Sequence, residues 1–171
     1  MISHIYIYFH SLSPPPFLFF RYMHTVHNLV HLDLKSENVF LSPGPVAKIG
    51  DFDAAMLAGT EVQRVRGTEA IHPPEFYAAG QECYVITPAA DVWAVGMLAY
   101  TLLYGKYAWS SAAPGRDPRY SKFLETESLL QFTESDELKG LFARILDLNS
   151  TVSARKIASR VGNFEFMYAC Y

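Results

Sequence analysis

Residues 92–104 are apolar on almost every side of the helix that their pattern predicts. Thr87 is a candidate N-cap, Pro88 suits the first helical position because it has no N–H to leave unpaired, and Gly105 supplies a left-handed stop. We therefore predict a helix over residues 88–104, about 25 Å long and slightly short for a membrane span. A helix of this kind is buried on all sides at the centre of a domain.

Composition limits what this chain can be. Half of its 171 residues are hydrophobic, which supplies a sizeable core, and the length predicts one domain. The net charge of −3 argues against a nucleic-acid partner, which needs a basic surface. Cys83 and Cys170 are too few for a disulfide framework and fit a reducing compartment, so we expect a cytoplasmic protein.

Shorter patterns predict the elements on the amino-terminal side of this helix. A short helix is expected over residues 17–27, with His24 near its end. Strands over 38–42 and 46–49 are expected to form a small hairpin, because Pro-Gly-Pro lies between them. Residues 53–86 have no sustained periodicity and are expected to form a long functional loop.

The carboxyl-terminal part combines a clear helical pattern with a polar stretch. One apolar stripe at helical spacing is made of Leu138, Leu141, Phe142, Ile145 and Leu146. A last helix is expected from near Thr151, and residues 110–123 are expected to be a polar connection. The predicted fold class is therefore α+β and mostly helical, with one small β-hairpin.

The hairpin gathers polar side chains at one end. Asn38 stands at the start of its first strand and Asp51 follows its second, while Asp33 and Lys35 lie just upstream. Amide and carboxylate oxygens suit Mg²⁺, a carboxylate can accept a proton from a hydroxyl, and an ammonium can neutralise a transferred phosphoryl group. The residues predict either a phosphoryl-transfer site or an ordinary surface turn with solvated charges.

Residues 31–38 read His-Leu-Asp-Leu-Lys-Ser-Glu-Asn, which resembles the catalytic loop H-R-D-L-K-x-x-N of eukaryotic protein kinases. Further matches follow in the order of that family. They are Asp51-Phe52-Asp53 for D-F-G, Gly67-Thr68 with Pro73-Pro74-Glu75 for G-T…A-P-E, Asp91-Val92-Trp93-Ala94-Val95-Gly96 for D-x-W-S-x-G, and Arg155 for a family arginine. The chain is identified on these motifs as a member of that family, and Lys35 with Gly67-Thr68 resembles its Ser/Thr type.

The resemblance implies a role for each matching residue. The catalytic set would be a base, a cation beside the phosphate and a residue that hydrogen-bonds near both, namely Asp33, Lys35 and Thr68. ATP and Mg²⁺ would be the cofactors and a protein the substrate. Asn38 and Asp51 would bind Mg²⁺, and Phe40 would lie under the adenine ring.

Other matching residues are implied to be structural. His31 and Phe52 would stack in a column that links the site to Asp91 on the buried helix. Arg155 would pair with Glu75.

Two matching residues depart from the family pattern. Leu32 replaces an arginine that holds a phosphate on the activation segment, which argues against control by phosphorylation there. Thr60 is the candidate phosphorylation site of that segment, with Arg64 or Arg66 beside the phosphate. Asp53 replaces the glycine of D-F-G and adds a charge near the metal.

The sequence has no match to the Gly-rich loop and the strand-borne lysine that precede the catalytic loop in the family. We therefore expect a truncated kinase domain over residues 21–165 that resembles the C-terminal lobe without an N-terminal lobe, followed by a tail over 166–171. Half of the nucleotide pocket would be missing, so ATP binding and activity are expected to be weak or absent. The surface that faces the missing lobe would attract a partner. The alternative is a pseudokinase-like module that only binds proteins.

Residues 1–20 carry no charged side chain and are interrupted by Pro14, Pro15 and Pro16. The apolar runs are too short for a signal peptide or a transmembrane span. We expect a poorly ordered hydrophobic leader that covers an apolar surface of the domain, with a weak membrane anchor as the alternative.

Overall fold

The computed structural model describes residues 16–42, 46–78 and 83–126, together with residues 140, 142, 145 and 146. The helices with bounds in these ranges are α1 (Pro16–Val26), α2 (Ala89–Tyr104) and α3 (Pro118–Thr126). The strands are β1 (Leu29–Val30), β2 (Val39–Ser42), β3 (Val46–Ile49), β4 (Met56–Leu57), β5 (Glu61–Val62) and β6 (Tyr84–Val85). Short 3₁₀ helices cover Ser36–Asn38, Glu69–Ile71 and Pro74–Tyr77. The helix predicted over residues 17–27 is thus confirmed as α1.

The helix α2 lies in the main core, as its apolar pattern predicts, but it is not buried on all sides, because Leu102 near its end is 43% exposed. Trp93 and Met97 on it are 5% and 0% exposed. The helix ends where Gly105, with a φ of +69°, donates its N–H to the Thr101 carbonyl at 2.8 Å. Glycine adopts this left-handed conformation without steric cost, which explains the sharp stop.

The start of α2 agrees with the predicted place of its proline. Pro88 has helical angles, with φ −55° and ψ −17°, and is therefore the first residue with helical backbone. The Thr87 carbonyl closes the first turn by accepting the N–H of Ala90 at 3.1 Å. Thr87 thus stands at the predicted cap position, where its backbone carbonyl contributes the described hydrogen bond.

The predicted hairpin is confirmed as the antiparallel pair β2–β3. Val39 lies opposite Ile49 and Ser42 lies opposite Val46. The pairing continues beyond the strands, because the Gly50 N–H donates to the Asn38 carbonyl at 3.0 Å. The turn at residues 43–45 lies outside the described residues.

Two further strand pairs correct the prediction of a single hairpin. β1 pairs antiparallel with β4, and β5 pairs antiparallel with β6. Each of these strands has only two residues. Two residues cannot show the alternation of polar and apolar side chains that marks a strand in a sequence. The pair β1–β4 joins the long segment 53–86 to the chain before it, and the pair β5–β6 joins two parts of that segment.

The helix α3 corrects the prediction that residues 110–123 form a polar connection. The Asp117 carboxylate lies just before the helix and accepts the backbone N–H of Arg119 at 2.8 Å, as an N-cap does. The Arg119 guanidinium also bonds this carboxylate and holds the pKa of Asp117 well below its ordinary value. Tyr120 and Phe123, one turn apart, are buried. Because polar residues surround Tyr120 and Phe123 in the sequence, the apolar stripe is too short to predict a helix.

The main core packs residues of α1, α2 and α3 against three residues of the predicted helical stripe, namely Phe142, Ile145 and Leu146. The Leu146 N–H donates to the Phe142 carbonyl at 2.8 Å, which is the helical spacing. Ile145 and Leu146 lie directly over Gly96 of α2. Outside the described residues lie the other predicted positions of the last helices, Leu138, Leu141 and Thr151.

No helix within the described ranges combines the length and the apolar character needed to cross a bilayer. Residues 1–15 of the predicted leader and the whole tail over 166–171 fall outside the described residues. The prediction of a poorly ordered leader is wrong for residues 16–20, which begin α1 and include the buried Phe20.

Candidate functional site

The loop between β1 and β2 and Thr68 of segment 53–86 form a hydrogen-bonded group that we call the Asp33 cluster, made of Asp33, Lys35, Asn38 and Thr68. One oxygen of the Asp33 carboxylate accepts the backbone N–H of Thr68 at 2.8 Å. The other accepts Lys35 Nζ at 2.8 Å and Asn38 Nδ2 at 3.2 Å. Lys35 Nζ also donates to Thr68 Oγ1 at 2.7 Å. The three predicted catalytic residues and one predicted metal ligand therefore lie in direct contact.

The contacts of the Asp33 cluster fix the charge of its carboxylate. Burial raises the pKa of Asp33, but hydrogen bonds from Lys35 and Thr68 and the positive charge of Lys35 outweigh it, so that the pKa lies below its ordinary value. Asp33 is therefore ionised at neutral pH. A substrate hydroxyl beside it would find a hydrogen-bond acceptor that can also take its proton.

Asp91, in the first turn of α2, holds the loop in this shape. Its side chain is buried, and its two oxygens accept the N–H of His31 at 2.9 Å and of Leu32 at 3.0 Å. Leu32 has a φ of +66°, a conformation that a leucine keeps only where its surroundings impose it. His24 Nε2 of α1 lies 2.8 Å from the same carboxylate. The two helices and the loop thus meet at Asp91.

The rings of His31 and Phe52, which were predicted to stack, lie in contact at a tilt of 51°. The two ring centroids are 4.8 Å apart, and Phe52 also meets Phe19 of α1 edge-on at 6.3 Å. His31 is fully buried, and its Nε2–H donates to the Gly50 carbonyl at 3.2 Å. The column therefore joins the end of the hairpin to the loop, and the backbone of His31 continues it to Asp91.

The two predicted Mg²⁺ ligands flank the hairpin. Asn38 uses its Nδ2 on the Asp33 carbonyl and carboxylate, which leaves its amide oxygen as an acceptor. Asp51 is exposed and follows Gly50, the partner of the Asn38 carbonyl. These hard oxygen donors fit Mg²⁺, which keeps water and phosphate oxygens in its other positions. Within the described residues, no group of three or more His, Cys, Asp or Glu side chains is arranged to hold a metal.

Large apolar side chains are exposed on and beside the hairpin. Phe40, the predicted adenine contact, is 55% exposed on β2, Leu41 is 56% exposed, and Phe52 is 39% exposed. Phe40 and Leu41 follow each other on a strand and therefore expose apolar surface on opposite faces of the hairpin. The adenine contact and the covering partner stay predictions.

Gly67 allows Thr68 to reach Asp33. Its φ is +99°, and a Cβ at this position would lie 2.6 Å from the Leu32 carbonyl oxygen. No side chain fits so close to a backbone oxygen. A glycine is therefore required where segment 53–86 crosses the loop 31–38.

The remaining predicted site residues take no part in the Asp33 cluster. Part of the Glu75 residue is exposed, yet desolvation of its carboxyl raises its pKa, and no described cation forms an ion pair with it. Arg155 lies outside the described residues, so its pairing with Glu75 stays a prediction.

Thr60 lies in the turn after β4 and is partly exposed. Its N–H donates to the Leu57 carbonyl at 3.2 Å, and its carbonyl accepts the Ile86 N–H at 2.9 Å. The two arginines proposed beside a phosphate are exposed, and Arg66 donates to the Asp53 carbonyl at 3.5 Å. Phosphorylation of Thr60 stays a prediction.

Sequence reasoning missed two histidine contacts at the site. His24 was expected only near a helix end, and its contact with Asp91 spans 67 positions, which no local pattern shows. His72 is 7% exposed and contacts the Arg66 carbonyl and the Tyr77 hydroxyl. It lies in the segment without periodicity, directly before the Pro73-Pro74-Glu75 motif but outside it.

The fold and the Asp33 cluster together define the class of this protein. The sequence profile described as protein kinase domain matches residues 19–163. Because the match covers well over half of the chain, the chain belongs to the protein kinase family.

Curated relatives agree with this assignment. The chain is 32% identical over 127 residues to the probable serine/threonine-protein kinase KKQ8 of Candida glabrata, a match that covers 70% of this chain and 16% of the relative. It is 36% identical over 106 residues to serine/threonine-protein kinase SBK1 of Mus musculus, covering 60% of this chain and 25% of the relative. It is 31% identical over 129 residues to serine/threonine-protein kinase meng-po of Drosophila melanogaster, a match that covers 73% of this chain and 28% of the relative. The matches thus span less than a third of the length of these relatives.

Proposed function

We propose that this chain carries the catalytic loop of a serine/threonine protein kinase, which transfers the terminal phosphoryl group of ATP to a hydroxyl of a protein. The observation that carries the proposal is the ionised Asp33 carboxylate, held by Lys35, Asn38 and Thr68. Asp33 would orient the substrate hydroxyl and accept its proton as the oxygen attacks phosphorus. Lys35 would offset the negative charge of the transferred group.

The same proposal assigns the cofactor ligands. Asn38 and Asp51 would hold Mg²⁺, which when bound neutralises charge on the phosphate oxygens of ATP. Phe40 would lie against the adenine ring, since it is exposed on the hairpin beside these ligands. The Ser/Thr type is supported by the names of the three relatives and by Lys35 with Gly67-Thr68.

We also propose that residues 1–171 alone transfer phosphate slowly. The 171 residues contain no counterpart of the Gly-rich loop and strand lysine that hold the ATP phosphates in protein kinases. Positioning of the reacting groups supplies most of the catalysis in phosphoryl transfer, so a nucleotide held on one side reacts poorly.

The test is transfer of labelled phosphate from Mg²⁺-ATP to serine- and threonine-containing peptides. The longest polypeptide that the gene encodes around these residues is assayed beside the 171-residue chain. We expect label on serine or threonine with the longer polypeptide, and a loss of about 100-fold or more in kcat for Asp33→Asn. The matched control is Glu125→Gln, which removes an exposed carboxylate of α3 and should leave the rate unchanged. Undiminished transfer by Asp33→Asn would contradict the proposal, and no transfer in any form would favour the binding-module alternative.

A further inference from the structure

His72 is a buried titratable residue that the proposed reaction does not use. It follows the 3₁₀ helix Glu69–Ile71 and precedes the 3₁₀ helix Pro74–Tyr77. Its ring is 7% exposed and packs edge-on against Phe76 with centroids 5.6 Å apart. The ring thus lies between Thr68, which contacts Asp33, and the 3₁₀ helix Pro74–Tyr77 that follows.

Both ring nitrogens of His72 have a partner, and the partners fix its tautomer. Nε2 lies 3.0 Å from the Arg66 carbonyl, which can only accept, so Nε2 carries the hydrogen. In the neutral ring Nδ1 then has no hydrogen, so at 3.2 Å it accepts the hydrogen of the Tyr77 hydroxyl. This arrangement uses a neutral imidazole, with one donor and one acceptor.

The Arg66 carbonyl belongs to the peptide unit that joins Arg66 to Gly67. Gly67 lies close against the Leu32 carbonyl oxygen, and the next residue, Thr68, donates its N–H to Asp33. The hydrogen bond from His72 therefore holds the backbone immediately before the residue that completes the Asp33 cluster.

We propose that His72 is a positioning residue, which in its neutral form ties the Arg66–Thr68 backbone to Tyr77 and so keeps Thr68 on Asp33. Protonation would place a positive charge on a buried ring that forms no ion pair with any described carboxylate. Protonated Nδ1 could no longer accept the Tyr77 hydrogen. The charged ring would then leave its place, and acidification would loosen Thr68 from Asp33. The consequence for phosphoryl transfer rests on the proposed function, whereas the link itself does not.

The charged and titratable groups that face His72 change little in the same pH range. Burial lowers the pKa of His72, while its hydrogen bond to the Arg66 carbonyl and the carboxylates of Glu69 and Asp33 act in the opposite direction. A hydrogen bond from Ser111 and the charge of Arg116 lower the pKa of Glu69, although burial acts in the opposite direction. Burial likewise raises the pKa of Asp33, but contacts with Lys35 and Thr68 outweigh it and lower this pKa. Burial raises the pKa of Tyr77. Because its pKa lies below the ordinary value of 6.5, His72 is the member of this group that gains a charge as the pH falls below that value.

The experiment is a pH titration of the 171-residue chain followed by amide NMR, which needs no kinase activity. The Gly67 amide shares a peptide plane with the Arg66 carbonyl and reports on the bond from His72. We expect the Gly67 and Thr68 signals to move together with the His72 ring signals as the pH falls from about 8 to 5. Replacement His72→Gln keeps an N–H donor that cannot titrate, so the two amides should hold their positions. Replacement His72→Phe keeps the ring volume without the bonds, so hydrogen exchange of the Thr68 amide should become about fivefold faster.

Two controls separate this link from other effects. His27→Gln removes an exposed histidine of the same chain and should leave the Gly67 titration unaltered. Far-UV circular dichroism reports whether His72→Phe remains folded. If this variant is unfolded, the titration of His72→Gln alone tests the link between His72 and Thr68. The proposal is overturned if Gly67 and Thr68 still titrate in His72→Gln, or if a folded His72→Phe exchanges Thr68 at the original rate. Failure of the kinase assay alone would leave these outcomes unchanged.

Discussion

Asp91 shows how much of the site depends on one buried acceptor. Its two oxygens satisfy the N–H groups of His31 and Leu32, and one of them also meets His24. These bonds offset the left-handed conformation of Leu32, which sets the direction of the chain into Asp33. At the scale of single residues, Asp91 is therefore a positioning group for a site that it does not enter.

Replacement Asp91→Ala should lower the free energy of unfolding by about 3 kcal/mol, because two buried N–H groups and a histidine lose their acceptor. Urea unfolding followed by circular dichroism measures this change. Asp53→Ala, which removes an exposed carboxylate, is the matched control and should change the free energy by less than about 0.5 kcal/mol. Similar losses for the two variants would show that Asp91 does not hold the loop.

The Asp33 carboxylate should make folding sensitive to acid. Its pKa in the folded protein lies below the ordinary value of 3.8, so the unfolded chain takes up this proton first as the pH falls. The stabilisation from Asp33 is therefore present above its ordinary pKa and is lost as the pH falls below it. The urea midpoint of Asp33→Asn should fall less steeply between about pH 5 and pH 3 than that of the unchanged protein. Parallel pH dependences would contradict this assignment.

At the scale of elements, prediction succeeded where the information was local. The helix α2 carries its own proline, apolar run and terminal Gly105, and the hairpin β2–β3 carries its own turn residues. The pairs β1–β4 and β5–β6 were not predicted, because their strands are too short for a pattern and their partners lie far along the chain. The helix α3 was missed because its two buried aromatic residues stand among polar ones.

The packing of α2 gives a prediction at the same scale. A Cβ on Gly96 would lie 2.7 Å from Ile145 Cγ2 and 2.8 Å from Leu146 Cδ2, whereas a Cβ on the helical Gly140 would meet no atom within 4 Å. Gly96→Ala should lower the free energy of unfolding by about 1 kcal/mol, since overpacking outweighs the gain in helix propensity. Gly140→Ala should raise it by up to about 1 kcal/mol. Thermal or urea unfolding of both variants checks the contrast, and stabilisation by Gly96→Ala would contradict the packing of residues 145 and 146 on α2.

At the scale of the whole molecule, the ordered motifs located the site better than the individual elements did. The motif residues Asp33, Lys35, Asn38 and Thr68 come together as one cluster although Thr68 is distant in sequence. The contacts that support the cluster, from His24 and His72, could not be predicted. They depend on how α1 and the irregular segment 53–86 pack, and no periodic pattern records that packing.

The claim on which the account depends is that Asn38 and Asp51 face the phosphate end of a nucleotide beside Asp33. Amide NMR of the 171-residue chain with Mn²⁺-ATP tests it directly, because bound Mn²⁺ broadens the signals of nearby residues. With millimolar Mn²⁺-ATP we expect broadening centred on Asn38 and Asp51, and its loss in Asp51→Asn, since Mn²⁺ accepts the oxygen ligands that suit Mg²⁺. Broadening centred elsewhere in the chain, or unchanged broadening in Asp51→Asn, would contradict the account.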